Sequence, residues 1–192
     1  EVRSCLAASC KRWKAKDSIP ILTQLIKRTE DVKDKHIPLL LWWAIENKAI
    51  SNRTEIIDLL NDKALWKTDM MQQHLIGRIG QRYTAQRTVD NLTTAAKLLA
   101  LAPSDADKDL LVNGMEAGLK GNAVKNTPKA LQAELAKLWK SRPHTPKLIS
   151  FATRLGLPEA MKEAVARVKD PKTSANERRE LTQLLSERRG AD

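Results

Sequence analysis

His74, Arg78 and Arg82 recur every four residues and form the clearest chemical pattern in the chain. On a helix that spacing aligns them as a basic ridge, which could grip a carboxylate or phosphate through charge-assisted hydrogen bonds. The simpler reading is that the ridge pairs with acids of a neighbouring helix or faces water. Other reactive types are sparse. The histidines His36, His74 and His144 are scattered, and the cysteines Cys5 and Cys10 fall on different faces of one predicted helix, too far apart to bridge. Both are expected to be buried free thiols. The sequence carries no Cys-x-x-Cys, H-E-x-x-H, G-x-S-x-G or Walker loop. No catalytic, metal or cofactor-binding residue is therefore assigned. Asp31 and Asp34 precede an apolar stretch and read as its cap and first-turn charges.

The elements that must position these residues are helices. Ala, Leu, Lys, Glu, Gln and Arg dominate, with one Phe and one Tyr, and no stretch alternates as a strand would. The centre of the pattern is Asp31–Ala49. Asp34 caps it, Pro38 fits its first turn, and Ile37 through Ile45 leave no polar face, so a helix covered on all sides is expected. Leu40, Leu41, Trp42, Trp43 and Ile45 are its predicted core residues, the two indoles pointing about 100° apart to lock two neighbours. The alternative role for Trp42 and Trp43 is a stacking platform.

Amphipathic spacing predicts further helices on both sides. Val2–Trp13 comes first, with Trp13 inward, and a second helix follows Asp17-Ser18 with Pro20 in its first turn. A fourth opens at Ser51-Asn52. After a link through Trp66, a fifth starts at Thr68 and contains Gly77 and Gly80, where a neighbouring helix is expected to pass close. The remainder run over Thr88–Ala102, Ser104–Gly121, Pro128–Trp139, Pro146–Leu155, Glu159–Val168 and Ser174–Arg189. Paired consecutively, they repeat at the period of helical hairpins. The expected fold is all-α: one HEAT- or armadillo-like α-solenoid of about five hairpins with a final single helix, over residues 1–192, without a domain boundary.

The formal net charge is +11, and residues 121–192 hold 15 basic against 8 acidic side chains. An excess of this kind favours anionic partners, although Lys and Arg are largely interspersed with Asp and Glu. No stretch is long and apolar enough to cross a membrane. The chain opens at Glu1 without a Met or an apolar leader and is expected to be a fragment of something longer.

The segments RSCLAASCKRW, DSIPILTQLIKR, EDVKDKHIPLLLWWAIE, AKLLALAP and LVNGMEAGLKG resemble the HEAT-like helical region of planctomycete-type membrane-bound dehydrogenases, over about residues 1 to 121. In that family a sorbosone-dehydrogenase-like β-propeller precedes the helices and a Cys-x-x-Cys-His haem domain follows. The resemblance implies a non-catalytic scaffold or protein-interaction segment, in the cell envelope or periplasm, whose partners are the flanking domains or another protein. This chain has neither propeller strands nor Cys-x-x-Cys-His, so neither sugar oxidation nor haem binding passes to its residues. The alternative function is a basic HEAT-like nucleic-acid-binding module acting through the basic C-terminal half, against which stands the wide separation of Tyr83 and Phe151 and the lack of aromatics interleaved with the basic residues there.

Overall fold

The computed structural model describes residues 1–189, and among them every regular element is helical. Twelve α-helices follow in order: α1 (Val2–Cys10), α2 (Ala15–Ile26), α3 (Ile37–Ala49), α4 (Arg53–Leu60), α5 (Lys63–Trp66), α6 (Ile76–Ala85), α7 (Val89–Leu101), α8 (Asp105–Leu119), α9 (Lys129–Ser141), α10 (Pro146–Arg154), α11 (Pro158–Lys169) and α12 (Ala175–Arg189). A π-helical turn, Met71–Leu75, leads into α6. The described residues divide into two compact units, residues 1–82 with 98–114, and residues 83–97 with 115–189.

Unit 1 is built on α1 to α5. Here α1 packs on α2 and α3, and α4 packs on α2, α3 and α5. The buried residues of α3, Ile37, Pro38, Leu41, Ala44, Ile45, Lys48 and Ala49, make one stripe at three- and four-residue spacing. The helix is therefore not covered all round. Leu41 and Ile45 are buried as expected, but Leu40 and Trp42 are only half-buried, and Leu39 and Trp43 are 37% and 42% exposed. Apolar residues at every helical angle do not require cover at every angle, because the neighbouring helices supply one contact face. The indole that is entombed is Trp66, placed by the sequence in a link. It lies in the short helix α5, 1% exposed, and its Nε1 donates to the Leu60 carbonyl at 2.8 Å.

Local chemistry explains the boundaries. The Asp34 carboxylate accepts from the backbone N–H groups of His36 (2.8 Å) and Ile37 (2.9 Å), closing the start of α3. Asp31 is no helix cap: it is buried and pairs with Arg3, which donates from Nη2 at 2.8 Å and approaches with Nε at 2.6 Å. That two-pronged pair joins the start of α1 to the loop before α3. Pro20 sits well inside α2, which begins at Ala15, and so removes the intrahelical donor for the Lys16 carbonyl. Later in unit 1, α8 crosses the start of α6 so closely that a Cβ on Gly114 would stand 1.9 Å from the Gly77 carbonyl oxygen. The sequence anticipated a close approach at Gly77; its partner is Gly114.

In unit 2, α10, α11 and α12 pack on one another. Ile149, Ala164, Leu181 and Leu184 form a buried cluster, with Trp139, Val168 and Leu185 against it. Gly156 ends α10 at φ +83°, a backbone conformation open to glycine, and lets the Leu157 N–H return to the Ala152 carbonyl at 3.0 Å.

Candidate functional site

The basic ridge is spread over two elements, and its first and last members are engaged with their own unit. His74 lies in the π-helical turn and its Nε2 donates to the Val32 carbonyl at 2.9 Å. Arg82, near the end of α6, places Nε 3.9 Å from a carboxylate oxygen of Glu46 on α3. Arg78, between them, is half-buried. The structure thus uses His74 and Arg82 to hold α3 and the preceding loop to the π-turn and α6.

Lys48 is a second cation turned to structural use. It is 2% exposed, and its Nζ donates to the carbonyls of Cys10 (2.6 Å) and Lys11 (3.3 Å), satisfying acceptors that the end of α1 would leave orphaned. Burial pulls its amine below the ordinary lysine range, partly countered by Cys10, while the buried Cys10 thiol is pushed up by desolvation. Cys5 is exposed rather than buried, and both thiols are free. Sequence reading missed Lys48 because a lysine near a helix end ordinarily reaches water.

Unit 2 contains a charged cavity of about 290 Å³ between α10, α12 and the end of α8. Glu116, 5% exposed, accepts from Ser150 Oγ at 2.9 Å and Lys147 Nζ at 3.1 Å. The buried Arg154 donates to the Leu119 carbonyl, is ion-paired with Glu187, and holds its Nε 3.8 Å from Glu116. With Glu116 tied to Ser150, Lys147 and Arg154, and Arg154 tied in turn to Glu187, the arrangement braces α8, α10 and α12 against one another. Nearby, His144 stacks on Trp139 with ring centroids 3.7 Å apart. Its Nδ1 meets Glu163 and its Nε2 meets the Trp139 carbonyl. Arg167 joins Glu163 to Glu177. Burial lowers the Arg167 guanidinium, but the hydrogen bonds it donates to Glu177 and Glu163 outweigh that and hold it above its ordinary value. Among the described residues no group of three or more His, Cys, Asp or Glu could hold a metal ion.

The feature best shaped for a partner is a groove of about 430 Å³ between α2 and α4 in unit 1. Ala15, Ile19, Pro20 and Leu59 give it apolar walls. Glu55, Asp58 and Asp62 stand along one side with Lys16 and Thr23 opposite. The Asp62 carboxylate also caps α5 through the Ala64 N–H at 3.0 Å and meets Lys27 at 3.2 Å. These contacts, Lys27 first, hold it below the usual carboxylate range.

No family model, curated protein or solved structure matches this chain. Sequence reading missed the groove because its residues belong to two helices far apart in order. Pro20 was the available signal, since a proline within a helix exposes backbone at that point. Trp13 was also misplaced: expected inward, it is 41% exposed just past the end of α1.

Proposed function

We propose that this chain is a non-catalytic helical scaffold, a protein-interaction domain that takes a basic amphipathic helix of its partner in the groove between α2 and α4. The observation that carries this reading is an apolar cleft edged by Glu55, Asp58 and Asp62 in a chain whose net charge is +11. Apolar anchors of a partner helix would fill the space against Ile19, Pro20 and Leu59, and its Lys or Arg residues would meet the acids.

A HEAT-like arrangement is the architecture we favour. Its support is the packing of α1 on α3 and of α2 on α4, first helix on first and second on second, as stacked hairpins require. In the setting implied by the dehydrogenase resemblance, the scaffold would hold a sugar-dehydrogenase-like propeller and a c-type haem domain in register within the cell envelope. The test is calorimetric titration of an amphipathic leucine–lysine peptide into the chain and into Leu59→Glu. Micromolar binding to the parent, weakened at least tenfold in the variant, supports the reading. Equal binding to both, or none to either, refutes it.

A further inference from the structure

A second surface of unit 1 carries a different chemistry. Residues 11 to 16 read Lys-Arg-Trp-Lys-Ala-Lys, four cations in six positions with no acid until Asp17. Lys11, Arg12, Trp13, Lys14 and Lys16 are all exposed. The segment is fixed at both ends. Ser9 accepts the N–H groups of Arg12 (2.9 Å) and Trp13 (3.3 Å), and Lys14 accepts the N–H of Ser18 at 3.0 Å. Lys48 ties the Cys10 and Lys11 carbonyls to α3 from beneath. The same junction brings Trp43 of α3 to this segment, with the Lys11 ammonium 5.7 Å from its ring centroid, a cation–π contact.

Two exposed indoles set among lysines and an arginine are unusual on a protein surface, where tryptophan is mostly covered. Trp13 and Trp43 are 41% and 42% exposed. Each is more than half covered by its own unit, so it offers part of a ring at the surface rather than a projecting wedge. Partial exposure suits stacking on a flat ligand better than insertion among acyl chains. The nearest acid on α3, Glu46, is half-buried and turned to Arg82.

We propose that Lys11, Arg12, Trp13, Lys14 and Trp43 form a binding site for single-stranded nucleic acid, whose bases stack on the two indoles while its phosphates meet the cations. Single strands present flat rings and anionic groups in alternation, which is the pattern of this surface. A duplex hides its base faces and would use the charges alone. The inference is independent of the groove and of the dehydrogenase resemblance.

The test uses the full chain with oligothymidylate, a duplex of equal length and phosphatidylglycerol vesicles, each at low and high salt. The single strand should quench tryptophan fluorescence, bind more tightly than the duplex, and weaken steeply with salt. The double variant Trp13→Ala/Trp43→Ala should keep its helical circular dichroism, since both rings are exposed, and lose about tenfold or more in affinity for oligothymidylate. Lys11→Ala/Arg12→Ala/Lys14→Ala should flatten the salt dependence. Three outcomes overturn the proposal: an indole double variant that binds as the parent does, equal affinity for single strand and duplex, or binding to vesicles without binding to oligothymidylate.

Discussion

Replacing Gly114 with alanine tests the tightest contact in unit 1. A Cβ there would lie 1.9 Å from the Gly77 oxygen, 2.6 Å from its carbonyl carbon and 2.8 Å from its Cα. A carbon–oxygen contact needs roughly 3.3 Å, so the two backbones must part by more than an ångström. Every atom in the way is main chain, and no side chain can swing aside. Overpacking a core commonly costs about 1–3 kcal/mol, and a backbone-on-backbone collision belongs at the top of that range or above it. Gly114→Ala should therefore lose about 3 kcal/mol or more in urea unfolding followed by circular dichroism. Gly77→Ala is the control. Its added carbon would meet only the Leu110 oxygen at 3.7 Å, an ordinary contact, and alanine recovers up to about 1 kcal/mol of helix propensity. It should stay within about 1 kcal/mol of the parent. Equal, small effects at the two positions would refute the crossing of α6 and α8.

Three further outcomes follow. Trp66→Ala should cost about 3–5 kcal/mol in a thermal or urea melt, whereas Trp43→Ala should change stability little because its ring is 42% exposed; the reverse order would contradict the packing of α3 and α5. Lys48→Met should lower stability by about 1–3 kcal/mol by orphaning two carbonyls at the end of α1, and a neutral result would mean that the relieved burial of the ammonium offsets them. The N–H groups of Ile37, first, and His36 hold the Asp34 carboxyl below its ordinary value of 3.8. Its contribution is accordingly complete above that value and lost as the pH falls through the lower folded value. Acid titration of Asp34→Asn, which can still cap, should lack this component of the pH dependence, and an unchanged acid profile would place the lost stability elsewhere.

The helices were legible in the sequence because their signals are local. Asp34 and Thr145 mark helix starts by accepting N–H groups two or three residues on, and Gly156 with Pro158 separates α10 from α11. Which apolar side chain meets which neighbour was not legible. In IPLLLWWAIE composition alone cannot choose a buried stripe, and that choice was made by α1, α4 and the π-turn packing against α3. The spacing points to Trp42 and Trp43 as core and Trp66 as link, yet the burial runs the other way for Trp43 and Trp66. The basic ridge was visible at four-residue spacing, but the Val32 carbonyl that engages His74 and the acid that faces Arg82 are distant in sequence. Lys48, Glu116 and Arg154 went unread for a related reason: each is a charge buried by contacts with other elements, and nothing in its own neighbourhood announces that.

The binding groove is tested most directly by amide chemical-shift mapping of the labelled chain during titration with an amphipathic leucine–lysine helix. Shifts should concentrate at Lys16, Ile19, Thr23, Glu55, Asp58 and Leu59, the residues lining the cleft between α2 and α4. Saturating shifts confined to another face, or a spectrum unmoved by the peptide, would contradict the assignment of that cleft as the docking site.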